Sequence, residues 1–303
     1  MPKTLTYALM VFAGGWCYGI MVPLVRVAHT MGYDSTQIMM AQYLVGVCAL
    51  GVAVIFFSRR SVGVIQVLKL AGVGVVAAGV SFGYYNALAL LSSAAALTLL
   101  FQFVWMGVLL QAVLERALPN RLTVLSVILV LLGTVLAAGI LEWDSSPLNP
   151  LGVFFGILSA VCYTAFLHLS GRVATELPTI NRTFFTGIGS LITSFFLAPI
   201  VIADSAVLWE SSWIAIPLAL VGIVAPILLI QKGAPKLPSG MTTIMASSEL
   251  PSGILMGALF VGDPIGFLEI CGVIIILGGI VLSQVTLLRT PQPTPQPKDP
   301  EKP

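Results

Sequence analysis

The sequence predicts an all-α membrane protein of ten transmembrane helices, arranged as two inverted five-helix repeats. Three observations carry that expectation. Of the 303 residues, 58% are hydrophobic and 9% charged, with a mean hydropathy of +1.03. Soluble domains carry roughly 25% charged residues, and a soluble fold of this size would lack the polar groups to cover its outside. Apolar stretches of about 20 residues, the length that crosses a bilayer, recur along the chain with short gaps. The basic residues sort to one side of the layout that these stretches define.

Taken in order, the expected spans are 5–28, 36–57, 68–90, 94–114, 122–141, 150–169, 180–202, 212–231, 240–261 and 266–287. All have helical length, and the roughly ten-residue alternating segments of a β-barrel are absent. The first run has a single early lysine and no small-residue cleavage site at its end, so it reads as a retained helix and not a signal peptide. With the N-terminus in the cytoplasm, Lys3, Arg59, Arg60, Lys69, Arg116, Arg121, Arg172, Arg182, Lys232, Lys236, Arg289, Lys298 and Lys302 fall inside. That is every basic residue but Arg26. Asp34, Glu142, Asp144, Asp204, Glu210 and Asp263 fall on the other side. A lysine and arginine bias of this kind sets orientation. The expectation is therefore a multi-pass protein of the bacterial cytoplasmic (inner) membrane with both termini cytoplasmic.

The tail 290–303, TPQPTPQPKDPEKP, has too much proline and too few apolar residues to fold, and is expected to be disordered. Cys17, Cys48, Cys162 and Cys271 sit in apolar runs without CxxC spacing, so they read as small hydrophobes and not as metal or disulfide sites. A net charge of +2 is too small to argue for a nucleic-acid partner.

Two alignments divide the chain. AGGWCYGIMVPLVR (13–26) and SAVCYTAFLHLSGR (159–172) share a Cys-Tyr pair and a later arginine. FVWMGVLLQAVLERAL (103–118) aligns with PSGILMGALFVGDPIG (251–266), setting Glu115 opposite Asp263. The offsets, 145–148 residues, give halves 1–145 and 146–289. Five helices per half is an odd number, so the second half would enter the membrane from the opposite face, an architecture that recurs in transporters.

These residues resemble the drug/metabolite transporter superfamily, specifically the EamA-like ten-helix permeases, over about residues 7–288. The likeness rests on Gly15, Trp16 and Pro23 in the first helix, on the alanine-rich fourth helix closing in Glu115-Arg116, and on the ninth helix with Pro251 and an acidic end. The chain departs from the family's Leu-Gly-Glu-like closing triad, having Leu114-Glu115-Arg116 and Val261-Gly262-Asp263, and it has Phe103 where a proline is frequent. The resemblance implies secondary movement of small solutes, amino acids, other metabolites or drugs. It also implies a central cavity lined mainly by helices 1, 3, 4, 6, 8 and 9, with helices 5 and 10 outside.

Glu249 is the sharpest candidate for function, because a carboxylate near mid-membrane is costly and usually faces a cavity or a partner. It suits a proton-coupling group or an anchor for a substrate amine; the structural reading is a packing glutamate bonded to a neighbour such as Ser247 or Ser248. Pro251 frees the carbonyl of Ser247 from its helix bond, which predicts a distorted, polar midpoint. Arg26 and His168 lie near span ends, where each can snorkel. Alternatively, Arg26 could hold a substrate carboxylate or pair with Asp34, and His168 could relay protons. Trp16, Tyr18, Tyr84, Tyr85, Phe101, Phe103, Trp105 and Tyr163 supply rings for an apolar or cationic solute or for packing. Gln42, Asn86 and Gln102 are intramembrane amides that join helices or touch solute. Pro23, Pro217 and Pro226, with Pro251, are kink or gating candidates. Gly272, Gly278 and Gly279 in the last span permit close helix approach, within the chain or across a homodimer seam.

No nucleotide-binding loop, HExxH or nucleophile elbow is present. The sequence therefore calls for no cofactor, no metal and no enzyme activity. The expected function is an alternating-access exporter or facilitator of small organic metabolites such as amino acids, a monomer or homodimer among membrane lipids. Its rivals are proton-coupled efflux of cationic drugs, a flippase of a lipid-linked intermediate, and a non-transporting membrane subunit.

Overall fold

The computed structural model describes residues 3–33, 35–58, 60–91, 93–138, 149–197, 212–262 and 265–289. The expected tail 290–303 and the ends of the fifth and seventh spans, 139–141 and 198–202, lie outside the described residues. So do Asp34, Arg59, Glu142, Asp144, Asp204, Glu210, Asp263, Lys298 and Lys302 of the charge count.

The helices are α1 (Lys3–Thr30), α2 (Ser35–Phe57), α3 (Val64–Leu90), α4 (Ser93–Leu100), α5 (Phe103–Glu115), α6 (Arg121–Ala137), α7 (Pro150–Ser170) and α8 (Thr179–Leu197). They continue as α9 (Ser212–Ala219), α10 (Ala225–Gly233), α11 (Ser239–Ala246), α12 (Glu249–Val261) and α13 (Phe267–Arg289). Polar residues mark several starts. Asn120 and Asn149 accept hydrogen bonds from Leu122 N (3.2 Å) and Leu151 N (3.0 Å), and Pro150 occupies the first turn of α7.

Among the described residues, eight segments are long and apolar enough to cross a membrane, and α6 is a shorter apolar helix. The remaining long helix, α8, is polar on its inner side: Asn181, Arg182, Thr183, Thr186, Ser190 and Ser194 are buried, while Ile192 and Phe196 are exposed. Its polar residues face protein and its apolar ones face outward, the arrangement a lipid solvent favours. The chain is thus an all-α polytopic membrane protein with eight to ten apolar spans.

Among the described residues, three spans are interrupted. The fourth breaks at Phe101-Gln102, between α4 and α5. The eighth contains a π-helical turn, Leu220–Val224, just before Pro226. The ninth breaks at Ser247-Ser248, where the distortion was expected. Pro251 has no N–H to give the Ser247 carbonyl, which instead accepts from Leu250 N at 3.4 Å. The two breaks match in form: an eight-residue helix, a two-residue break, a 13-residue helix and a left-handed end, at Arg116 (φ 51°) and Gly262 (φ 76°). One constant offset of 146 residues carries Ser93 to Ser239, Phe103 to Glu249, Arg116 to Gly262 and Arg121 to Phe267. The alignment by residue similarity set Phe103 opposite Pro251; the helix boundaries set it opposite Glu249. Side-chain similarity misjudged the offset by two because the ends of these helices are fixed by backbone geometry and not by a shared motif.

α3 packs on α7 and α8, α1 on α10 and α12, α2 on α8 and α9, and α5 on α11, while α6 and α13 form a pair of their own. Gly272 and Gly279 face α6 in that pair: a Cβ on Gly272 would stand 2.5 Å from Ala137 N, and one on Gly279 3.0 Å from Ser126 O. Gly278 faces open space.

Candidate functional site

Small residues bring α1 against the break in the ninth span. A Cβ on Gly15 would lie 2.5 Å from both Ala246 O and Ser248 Oγ. This closeness lets Ser248 and Ser252 donate to Phe12 O and Trp16 O, both at 2.7 Å. Those bonds fix the start of α12 and aim its first residue, Glu249, into a cavity of about 620 Å³. On the facing helix α7, the Tyr163 hydroxyl donates to Glu249 Oε2 at 3.0 Å. Tyr163 is itself held between rings, with Phe103 at a centroid distance of 4.5 Å and Tyr18 edge-on at 6.2 Å. Tyr18 and Tyr84 line the same cavity. Among the described residues Glu249 has no basic partner.

Away from Glu249, α2 and α3 form a second polar wall. Tyr43 and Ser81 share a hydrogen bond of 3.3 Å, while the Tyr85 hydroxyl and Gln42 Oε1 are buried without a hydrogen-bond partner. Apolar side chains such as Leu97, Leu100, Phe166, Ile223 and Ile254 also line the cavity. The cavity reaches toward the end of the bundle that carries Arg26, Ala138 and Glu269.

The opposite end is closed. Arg182, 2% exposed, donates to Val173 O (3.2 Å), Gln231 O (2.7 Å) and Ser170 O. Two of these are carbonyls that helix ends leave free. Ser170 ends α7, and the residue that would bond Gln231 O is Pro235, which has no N–H. The guanidinium thus caps α7 and α10 together. Gln231 bonds Thr183 Oγ1 (3.1 Å) and Thr186 Oγ1 (2.9 Å), His168 Nδ1 meets Ser239 Oγ (2.7 Å), and Gln111 Oε1 accepts from Gly240 N (2.9 Å). None of these residues lines the cavity.

Of the residues singled out in the sequence, Tyr18, Pro23, Arg26, Tyr84, Tyr85, Tyr163, Gln42 and Glu249 line the cavity together. The others stand elsewhere. Trp16 stacks on Phe12 at 5.6 Å, and Asn86 bonds back to Phe82 O at 2.8 Å. Gln102 donates to Thr98 O (3.0 Å) and accepts from Trp105 Nε1 (2.8 Å), with Trp105 on the outside of the bundle. His168 belongs to the closed end. Pro217 lies within α9, Pro226 follows the π turn, and Pro251 follows the break beside Glu249. Helix α2 joins the expected lining set, and the ends of α6 and α13 reach the mouth. Tyr43, Ser81, Glu269 and the clasp role of Arg182 were missed. The pair Gln42-Tyr43 in an apolar run was the available signal for the second wall, whereas Arg182 passed for an ordinary interfacial charge.

A tyrosine-rich cavity lined by the Glu249 carboxylate beside broken helices defines a polytopic membrane protein built around an internal solute-sized site. Residues 150–284 match the model of the EamA-like transporter family. A solved chain described as "Crystal structure of protein" superimposes with a TM-score of 0.76 at 16% identity, covering 93% of this chain and 99% of that one. At that identity the likeness is of fold. The sequence has no match among curated proteins. The family match thus covers residues 150–284 of an all-α membrane protein.

Proposed function

We propose that this protein is a secondary transporter that moves small organic metabolites, amino acids among them, by alternating access. The observation that carries the reading is the cavity around Glu249, extended toward the Arg26 end and sealed from the Arg182 end by a hydrogen-bonded network. Discontinuous helices at mid-depth are the usual place for such a site. The 146-residue correspondence of helix boundaries supports two inverted five-helix halves, 1–145 and 146–289, which would rock about the cavity. The lysine and arginine bias supports a cytoplasmic Arg182 end and cytoplasmic termini in a bacterial inner membrane, which makes this conformation outward-facing.

A second reading, proton-coupled efflux of organic cations, is favoured by one feature: the Glu249 carboxylate accepts from Tyr163 and shares its cavity with Tyr18 and Tyr84. A carboxylate so placed exchanges a proton for a solute cation at the same oxygen pair. Counterflow in proteoliposomes tests both readings, using labelled amino acids and amines with and without an imposed pH gradient. Wild type is expected to accumulate at least one solute and Glu249→Gln to lose that accumulation. Loss of the pH response alone would favour the second reading. Counterflow unchanged in Glu249→Gln would remove Glu249 from the mechanism.

A further inference from the structure

We infer that Gln231 is a releasable bolt at the closed end, a positioning residue whose side chain holds α10 to α8 in this conformation. The inference rests on the alternating-access reading, and names a contact that must part before the cavity opens toward the Arg182 end. Backbone contacts through glycine sort the helices into units. A Cβ on Gly19 would press on Glu249 O and one on Gly233 on Tyr7 O, so α1 is locked to α12 and α10. A Cβ on Gly74 would press on Thr186 O, one on Gly189 on Ala71 O and one on Gly83 on Phe155 O, so α3 is locked to α8 and α7. Small residues permit this close backbone approach within a membrane. Each unit draws helices from both halves of the chain, so the halves are interlocked and their rocking passes between α1–α10–α12 and α3–α7–α8.

Where α8 meets α10 the chemistry changes. Gln231, 1% exposed, commits its whole amide to the other unit: Oε1 accepts from Thr183 Oγ1 at 3.1 Å and Nε2 donates to Thr186 Oγ1 at 2.9 Å. Among the described residues no glycine brings the α8 and α10 backbones together, so side chains close this seam. Arg182 reaches the same seam through the Gln231 carbonyl, a bond that a side-chain substitution at Gln231 leaves in place. Bonds between side chains exchange for bonds to water at little net cost. The glycine seams would instead give up close packing with nothing to replace it. The seam that Gln231 bridges is therefore one that parts. The 146-residue offset sets Tyr85 opposite Gln231, and Gln37 and Met40 opposite Thr183 and Thr186. The Arg26 end thus carries a tyrosine where this end carries the bolt, and that difference holds the resting protein closed at the Arg182 end.

The test is side-specific labelling of the full-length protein in reconstituted vesicles. Cys17, Cys48, Cys162 and Cys271 are replaced by serine, and Ile254→Cys supplies one thiol in the cavity wall. The readout is the rate of labelling by an impermeant maleimide from the Arg182 face divided by the rate from the opposite face. Gln231→Leu is expected to raise this ratio by about tenfold, the net worth of two hydrogen bonds exchanged for water. Thr186→Val removes one of the two, risks less of the fold, and is expected to raise the ratio by a smaller factor. Adding Thr186→Val to Gln231→Leu is expected to raise it no further, because both act through one contact. Gln284→Leu removes another intramembrane amide, bonded to Met241 Sδ and Met245 Sδ, and is expected to leave the ratio unchanged. An unchanged ratio in both Gln231→Leu and Thr186→Val, with melting lowered alone, would make Gln231 a packing residue and overturn the inference. An equal rise in Gln284→Leu would overturn it too, as a general loosening of the bundle. A shifted ratio without counterflow of any solute in wild type would sink the transport reading alone, and counterflow with an unshifted ratio would sink only the bolt.

Discussion

Replacing Arg182 with methionine keeps most of the side-chain volume and removes three donors from the closed end. The acceptors left behind are Val173 O, Gln231 O and Ser170 O. Gln231 O has no helical donor to fall back on, because Pro235 stands where that donor would be. A buried polar group stripped of its partner costs about 1–3 kcal/mol, so three amount to roughly 3–9 kcal/mol. Removing a buried cation offsets part of this, and relaxation of the loop after α7 offsets more. We expect a net loss of about 3 kcal/mol, concentrated where α7, α8 and α10 meet. At about 2–4 °C per kcal/mol for a domain of 150–250 residues, the melting temperature should fall by roughly 6–12 °C. Hydrogen exchange should quicken at the ends of α7 and α10 and stay unchanged in the α6–α13 pair. Arg182→Lys should fall between wild type and methionine, since it keeps the charge and loses the fork that reaches three carbonyls. A methionine variant with wild-type melting and wild-type exchange at both helix ends would refute the capping argument.

Four further outcomes follow from the geometry. Tyr163→Phe removes the bond to Glu249 and keeps the ring against Phe103. Solute affinity should change by about tenfold, the scale of a hydrogen bond to a charged group, with melting nearly unchanged in differential scanning fluorimetry. Gly15→Val places atoms against Ala246 O and Ser248 Oγ and should destabilise by about 1–3 kcal/mol. Gly72→Ala, which meets nothing within 4 Å, should be neutral or stabilise by up to about 1 kcal/mol through helix propensity. Outside the membrane, Glu176 ties the α7–α8 loop to the α2–α3 loop and the first turn of α3: its carboxylate accepts from Gln66 at 2.7 Å and its carbonyl from Arg60 at 3.4 Å. Its own backbone N–H and Gln66 hold that carboxyl below the usual carboxylate range. A lowered folded-state pKa means the stabilisation is present above the unfolded value and lost as pH falls through the folded one. Exchange in residues 60–66 should therefore rise in acid, and Glu176→Gln should remove that pH dependence.

The spans were legible because a lipid solvent demands long apolar segments, and hydropathy reads that demand directly. The break at Ser247 was legible for a similar reason, since Pro251 lacks the one donor its carbonyl needs. Its counterpart at Phe101-Gln102 has no proline and became visible only from the backbone. Glu249 could be singled out because a mid-membrane carboxylate is rare. Trp105 and Asn86 showed the limit of that approach: a polar or aromatic residue in a span says nothing about which face it occupies, and these two bond to residues three and four positions back in the chain. Arg182 was hidden by its position at a span end, where an arginine normally snorkels. Its burial depends on the orphaned carbonyls of two other helices, a coincidence in space that no local pattern encodes.

The central claim is that the cavity around Glu249 is reached from each side of the membrane in turn. Side-specific thiol labelling tests it most directly. In a background with Cys17, Cys48, Cys162 and Cys271 replaced by serine, Ile254→Cys places one thiol in the cavity wall. An impermeant maleimide is then applied to one face of reconstituted vesicles at a time. Labelling from both faces, with added solute shifting the ratio between them, is the result that alternating access predicts. Labelling from one face alone, whatever solute is present, would contradict it.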